Sequence, residues 1–443
     1  MAKSEDLSRR TFLGQTVGAS AVGLAAPYVV SSSAFGANDK INVGVIGVNG
    51  QGNWNLGELL KQPDVVVTGI CEVWKERRDK AIARCKGTAK PYTDFRELLA
   101  QKEIDAVLIA TPPHWHALMC IVACEAGKDF YCEKPMTIHP AESIAVNNAV
   151  KKHKRITQIG TQIHAQPNYR RVVELIQSGN LGPISVVRTF NIMNQTEDGV
   201  GNAPDSDPPA SLDWEMWVGP GPARKFNPTL ATGSYHHCSF LDYSGGWTPG
   251  MAPHIIDLPY WALKLDIPTH ISASGGRYVI KDCGDAYDVH EVVWQYPNFT
   301  MTWMSTLTNS YGWDFQGKGG MARRLGIYFH GVDGTCAANY GTHKIIPEGD
   351  RMKGKKTPPK TIPDSVGHHR EWLDGIRARK QPLCHVGYNH KLNMAIALSV
   401  LSLKLGRSIR FDPKTEKIVG DAEAAKMAIP TYRDPWKFPE KYL

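Results

Sequence analysis

A short apolar run, Ile41, Val43, Val45 and Ile46, gives way to Gly47-Val48-Asn49-Gly50-Gln51-Gly52 and then to a helical stretch carrying Leu56, Leu59 and Leu60. Strand, glycine turn and helix in that order bring backbone N–H groups to the positive end of a helix, where they can cradle a pyrophosphate. Glycines permit the close approach because they lack a side chain and tolerate positive φ. In the G-x-G-x-x-G register Gly47 and Gly52 fit, while Asn49 holds the middle position. Asn tolerates the left-handed region, and Gly50 beside it can supply the close approach. A second apolar run, Val65-Val66-Val67-Thr68-Gly69-Ile70, ends in Cys71-Glu72. An acid at that strand tip accepts hydrogen bonds from both ribose hydroxyls of an adenosine and repels a 2′-phosphate, so Glu72 favours NAD over NADP. Arg77 and Arg78 lie close enough in sequence to weaken that preference.

The elements that must position these residues follow in regular alternation. A strand over 104–110 ends in Thr111-Pro112-Pro113-His114-Trp115-His116, a helix stops at Gly127, and a further strand ends in Phe130-Tyr131-Cys132-Glu133-Lys134-Pro135. This β-α-β spacing predicts a doubly wound parallel sheet, a Rossmann domain over 39–160. After Gly160 the alternation stops. Strand-like segments over 182–191, 290–306 and 325–331 are joined by turn-rich loops, and Val292, Trp294 and Tyr296 alternate as on a half-exposed sheet. A chain of 443 residues fits two domains plus a targeting segment, so 161–443 is expected to form the second domain.

Glu133-Lys134-Pro135 after a strand, preceded by the Thr111-Pro112-Pro113…His116 segment and the glycine turn, resembles the Gfo/Idh/MocA oxidoreductases. Leu212-Asp213-Trp214, Trp217-Val218-Gly219-Pro220 and Lys225-Phe226-Asn227-Pro228 are similar to a segment of the exported members, as is His369-Arg370-Glu371-Trp372-Leu373-Asp374 with Lys404-Leu405-Gly406-Arg407. The resemblance implies an NAD site built from Gly47, Asn49, Gly50, Gln51, Gly52, Glu72, Thr111, Pro112, His116, Glu133 and Lys134. It also implies a cis peptide before Pro135, with Lys134 near nicotinamide and substrate. The second domain would be α/β, with a large open, mostly antiparallel sheet that often mediates oligomerisation, and a homo-oligomer, dimer or tetramer, is expected.

That family places substrate-binding acid/base residues in an Asp-x-Gly-x-His-x-x-Asp motif. Here Gly250-Met251-Ala252-Pro253-His254-Ile255-Ile256-Asp257 matches the histidine, but Gly250 falls where the family has an Asp and Ala252 where it has a Gly. Oxidising a secondary alcohol needs a base for the hydroxyl proton and a group that stabilises the developing alkoxide. His254 suits the base role and Lys134 can hold the oxygen. Asp242, Tyr243, His236 or His237 are the candidates to replace the missing carboxylate, and His164 and Tyr169 lie where the family contacts substrate. Trp214, Trp217 and Trp247 offer aromatic faces for the C–H faces of a sugar ring, whereas Trp261 reads as core. The expected reaction is hydride transfer from a hydroxyl of a sugar, sugar derivative or inositol. The alternatives are an NAD-assisted lyase, epimerase or glycosidase with a closed redox cycle, and a catalytically silent sugar-binding protein.

Composition narrows the field. Hydrophobic residues at 42% and charged residues at 21% are ordinary for a globular chain, which argues against disorder and a membrane bundle. The net charge of +8 is scattered apart from Arg351, Lys353, Lys355, Lys356 and Lys360, so no nucleic-acid groove is expected. Nine cysteines contain no Cys-x-x-Cys pair and read as core thiols, and no metal is expected at Tyr235-His236-His237-Cys238 because adjacent histidines rarely point at one ion. At the N-terminus, Ser8-Arg9-Arg10-Thr11-Phe12-Leu13 precedes a small-residue apolar run from Val17 to Val30, too short to anchor stably in a bilayer. It resembles a twin-arginine export signal over 1–36, with Gly14 where a Lys is common, and implies an exported or periplasmic protein that leaves the cytoplasm folded around its cofactor.

Overall fold

The computed structural model describes residues 40–195, 197–310 and 325–443; the twin-arginine segment lies outside them. The first domain is a six-stranded sheet of β1 (Ile41–Ile46), β2 (Val65–Cys71), β3 (Lys90–Tyr92), β4 (Ala106–Ile109), β5 (Asp129–Cys132) and β6 (Thr157–Ile159). The strand order is β3-β2-β1-β4-β5-β6, and every pair in it is parallel. β4 and β5 are buried along their whole length, as a sheet covered by helices on both faces requires. The strand order reverses between β1 and β4, and in an open sheet of this kind the ligand crevice lies at the carboxyl ends flanking that point.

The second domain carries a nine-stranded sheet in the order β13-β12-β11-β7-β10-β9-β8-β14-β15. Its strands are β7 (Ile184–Ile192), β8 (His270–Gly276), β9 (Val289–Gln295), β10 (Thr300–Thr306), β11 (Leu325–Gly331), β12 (Gly334–Ala338), β13 (His343–Pro347), β14 (Ile409–Asp412) and β15 (Lys417–Ile418). Pairing is antiparallel except between β7 and β10. Along β9 burial alternates strictly, with His290, Val292 and Trp294 inward and Glu291, Val293 and Gln295 outward, so one face packs on helices and the other is open. The architecture is therefore α/β, a doubly wound parallel sheet joined to a mostly antiparallel one.

Two helices cover the inner face of the large sheet, Trp247–Leu263 and Val386–Leu405, and the first carries His254. The C-terminal part of the chain also returns to the first domain. Helix His368–Ala378 inserts the fully buried Trp372 beside Tyr131, and Trp436 and Tyr442 close the opposite face of the parallel sheet. Both domains thus share packed side chains and fix the cleft between them. Among the described residues no helix is long and apolar enough to cross a membrane. The nine cysteines carry free thiols, eight of them buried.

Candidate active site

The cleft begins at the glycine turn. Gly47 has φ +83°, and a Cβ there would lie 2.7 Å from the carbonyl oxygen of Ala110 at the end of β4. A Cβ on Gly52 would lie 2.2 Å from the carbonyl oxygen of Gly47, so these positions need glycine for close packing of turn, strand and helix. The second left-handed residue is Gly50, at φ +46°, and not Asn49: the freedom expected of the middle position is supplied one residue later. Gly50 approaches the second domain, where a Cβ on it would lie 2.4 Å from Ser234 Cβ.

Glu72 sits at the tip of β2 with both carboxylate oxygens engaged. Oε2 accepts from Val48 N at 3.1 Å and Oε1 from Trp74 N at 3.1 Å. Burial pushes its pKa up, against these bonds and the Arg77 charge, which favour the ionised form. Glu72 therefore braces the glycine turn as well as lining the cleft. Arg77 also lines the cavity, its guanidinium stacked 4.0 Å from the Trp74 ring and its Nη2 donating to the carbonyl of Ala231 at 3.2 Å.

At the other side of the switch point β5 ends in Glu133, and the Lys134–Pro135 peptide is cis. Glu133 Oε1 accepts from Asn55 Nδ2 and Gln162 Nε2, both at 2.8 Å, which fixes its carboxylate as a floor group. His116 lies behind this turn. Its ring nitrogens meet the carbonyls of Pro135 at 2.7 Å and Thr111 at 2.8 Å, tying the ends of β4 and β5 together, so it shapes the cofactor site from outside the cavity. Lys134 reaches across the cleft, and its Nζ donates to the carbonyl of Gly250 at 2.9 Å.

That contact joins the two domains at one cavity of about 540 Å³. Gly47, Asn49, Gln51, Glu72, Thr111, Pro112, Glu133 and Lys134 line it from the first domain; Trp217, His237, Cys238, Trp247, Gly250, His254 and Tyr340 line it from the second. His254 Nδ1 is buried and has no hydrogen-bond partner among the described residues. Burial, and then the charge of Lys134, hold its pKa well below the ordinary value, so the imidazole is neutral. His237 is pushed down to about 3 by the same two causes.

Several expected substrate residues lie elsewhere. Gly245 and Gly246, at φ +73° and +100°, reverse the chain before the Trp247–Leu263 helix. Asp242 and Tyr243 face away from the cleft. Asp242 is exposed beside a separate cavity of about 560 Å³, and Tyr243 is buried with its hydroxyl donating to Pro222 O at 2.9 Å. His164 is buried below the helix, with Nδ1 2.9 Å from Asp257 Oδ2 and its ring stacked 3.7 Å from that of Trp261. Burial opposes its protonation, but the Asp257 carboxylate overrides this and raises its pKa to about 10. Tyr169 is also buried, and its hydroxyl donates to His254 O at 2.9 Å, so it holds the histidine's backbone and does not line the cavity. His236 turns Nδ1 to the carbonyl of Thr229, and among the described residues no group of three His, Cys, Asp or Glu side chains could hold a metal ion. Trp214 stacks on Trp217 from behind.

The place of the missing carboxylate is filled. A Cβ on Gly250 would lie 2.9 Å from Cys238 Sγ, a thiol that burial pushes up to about 11. Tyr340 carries no sequence signal, since it stands in no motif and reaches the cleft from a turn far from His254 in the chain; Cys238 reads in the sequence only as a possible metal ligand beside His236 and His237, not as the group that packs on Gly250.

Residues 41–161 match the family model described as "Oxidoreductase family, NAD-binding Rossmann fold", and residues 318–438 match its companion "Oxidoreductase family, C-terminal alpha/beta domain". The chain belongs to this Gfo/Idh/MocA oxidoreductase family, and its first domain is of the NAD-binding Rossmann type. Among curated relatives, an inositol 2-dehydrogenase of Salmonella typhimurium is 28% identical over 144 residues, 32% of this chain and 43% of that protein. A glycosyl hydrolase family 109 protein of a Shewanella species is 28% identical over 179 residues, 38% of this chain and 36% of that protein. These matches thus span less than half of each relative. A levoglucosan dehydrogenase solved with NADH and levoglucosan shares the fold, with TM-score 0.59 at 18% identity, covering 84% of this chain and 99% of that one.

Proposed function

We propose that this protein is an NAD-dependent oxidoreductase acting on a CH–OH group of a neutral ring polyol, a sugar, sugar derivative or inositol. The observation that carries the reading is the meeting of Lys134, at the carboxyl edge of the parallel sheet, with His254 and its unpartnered Nδ1 in one cavity beside the glycine turn. The residues at the crevice suit the cofactor: the turn lacks the side chains that would block a pyrophosphate, and Glu72 stands where a ribose would lie. Bound NAD supplies the hydride acceptor. His254 Nδ1 takes the hydroxyl proton as the C–O bond gains carbonyl character, and Lys134 Nζ turns from Gly250 O to the same oxygen to stabilise its charge. Trp217 and Trp247 present ring faces to the sugar. The inositol and levoglucosan dehydrogenases among the relatives support this substrate class.

The second reading, a closed redox cycle, draws its support from the outer wall of the cleft. The segment over 205–240 is tied to the first domain by Lys75 N to Ser211 O at 2.9 Å, Asp213 N to Val73 O at 3.0 Å and the Arg77 bond to Ala231, and it brings Ser234 over Gly50. A cofactor held beneath such a strap would exchange slowly, which suits an enzyme that returns the hydride it takes. Export through the twin-arginine pathway by way of Arg9 and Arg10 is part of the same proposal, as is a homo-oligomer through the open face of the nine-stranded sheet.

The test is a panel of aldoses, inositols and glycosides incubated with the NAD-loaded protein and followed by NMR, with nicotinamide absorbance in parallel. Oxidation of a ring hydroxyl with NADH accumulation supports the dehydrogenase. Epimerisation or cleavage without net NADH supports the closed cycle. Binding without any turnover would overturn both in favour of a silent sugar-binding protein.

A further inference from the structure

Of the buried side-chain polar atoms left without a partner among the described residues, two belong to residues lining the active-site cavity: His254 Nδ1 and the Tyr340 hydroxyl. A buried polar atom is ordinarily hydrogen-bonded, so an orphan on a cavity wall points to a partner that arrives with the ligand.

Tyr340 occupies the turn between β12 and β13, and the turn is rigid. Asn339 Oδ1 accepts from Gly341 N at 2.9 Å and from Thr342 N at 2.8 Å, and Asn168 Nδ2 donates to Asn339 O at 2.9 Å, fastening the turn to the Pro167–Gln177 helix. The Tyr340 ring leans on Tyr169 with centroids 6.2 Å apart and stands 6.4 Å from the His254 ring. Tyr169 donates its hydroxyl to His254 O and makes no hydrogen bond with the Tyr340 hydroxyl. Both orphan atoms thus belong to residues that line the same cavity with rings 6.4 Å apart, one a ring nitrogen and the other a hydroxyl that can donate a hydrogen bond. The charged residues that line the cavity are Glu72, Arg77, Glu133 and Lys134, and all come from the first domain, leaving this wall uncharged.

We propose that Tyr340 is a substrate-binding residue that donates a hydrogen bond to a second hydroxyl of the ring whose first hydroxyl faces His254, so that the site selects polyols with two free neighbouring hydroxyls. The assignment rests on the polyol reading of the site and adds the group that recognises the second oxygen. With Gly250 in place of the family Asp and Cys238 filling that space, Tyr340 supplies polar recognition on a wall without a carboxylate.

The test uses NAD-loaded protein, wild type and Tyr340→Phe, titrated calorimetrically with myo-inositol, D-glucose and methyl α-D-glucopyranoside, and then with the deoxy analogues of whichever probe binds. The substitution should weaken binding of that probe about tenfold, the scale of one hydrogen bond lost from a buried site. The deoxy analogue lacking the contacted hydroxyl should bind both proteins alike. Because the hydroxyl has no protein partner, Tyr340→Phe should leave NAD content and Tm unchanged. Equal affinity of the two proteins for the parent polyol, or a lowered Tm with unchanged affinity, would overturn the assignment and leave the polyol reading standing. Failure of the wild type to bind any of the three would overturn both.

Discussion

The chemistry of the cleft turns on a few side chains whose roles the structure redistributes. His254 and Lys134 come from different domains and meet at one cavity, whereas Asp242 and Tyr243, equally plausible by residue type, stand outside it, Asp242 beside a second cavity and Tyr243 bonded to Pro222. Sequence proximity to a motif does not fix direction. Glu72 was legible as a strand-tip acid, but its second task, bracing Val48 and Trp74, was not, because those N–H groups become its partners only once the turn has folded. Both tasks bear on cofactor choice. NAD should bind at least about tenfold more tightly than NADP, about 1.4 kcal/mol. Glu72→Ala should lower NAD affinity and narrow the gap; fluorescence titration showing equal affinities in the wild type would refute it.

The elements explain why the architecture could be read so far from the sequence. Continuous apolar runs mark strands buried on both faces, and the alternation through Val292 and Trp294 marks a sheet with one open face, because burial in each case follows the period of the backbone. Positions without a period were harder: Tyr340, in a hairpin turn, stayed hidden, and what Cys238 packs on could not be read from a single 3₁₀ turn, where spacing carries no information about what the residue will face. The Trp247–Leu263 helix also bears on what restoring the family carboxylate would do. Gly250→Asp must displace Cys238 Sγ and sets a new anion beside Lys134. It should lower turnover at least about 100-fold, the low end of what losing a positioned catalytic contact costs. Relief of the crowding in Gly250→Asp/Cys238→Ala should recover part of the loss; steady-state rates for the single and double variants check this.

As a whole, the molecule holds many histidines neutral in its interior. His114, His290 and His369 are each pushed down to about 4 by burial. Unfolded, they titrate near 6.5, so between those values the unfolded chain binds more protons and stability rises with pH. His164 acts in the opposite sense. Its pKa is raised to about 10, so its contribution is full below about 6.5 and is lost as pH rises toward 10. His237, His254 and His368 are lowered in the same sense, so these groups against His164 alone give a Tm that climbs steeply from pH 4 to about 6.5, peaks near there and declines more gently above it. Calorimetry over that range measures the profile, and a Tm that is flat below 6.5 would contradict it. Delivery of the folded molecule belongs to the same level. Replacing Arg9 and Arg10 with lysines should leave the precursor in the cytoplasm by fractionation, and normal processing of that variant would remove the case for export.

The central claim is that Lys134 and His254 act on one bound hydroxyl, and the most direct measurement is turnover of the polyol the wild type uses, by Lys134→Ala, His254→Ala and the double variant. Each single change should lower the rate by about 10²–10⁴-fold. The double variant should be barely worse than either, because groups serving one step are not additive. Near-normal turnover in His254→Ala, with Tm and NAD content intact, would contradict the account and make that histidine structural.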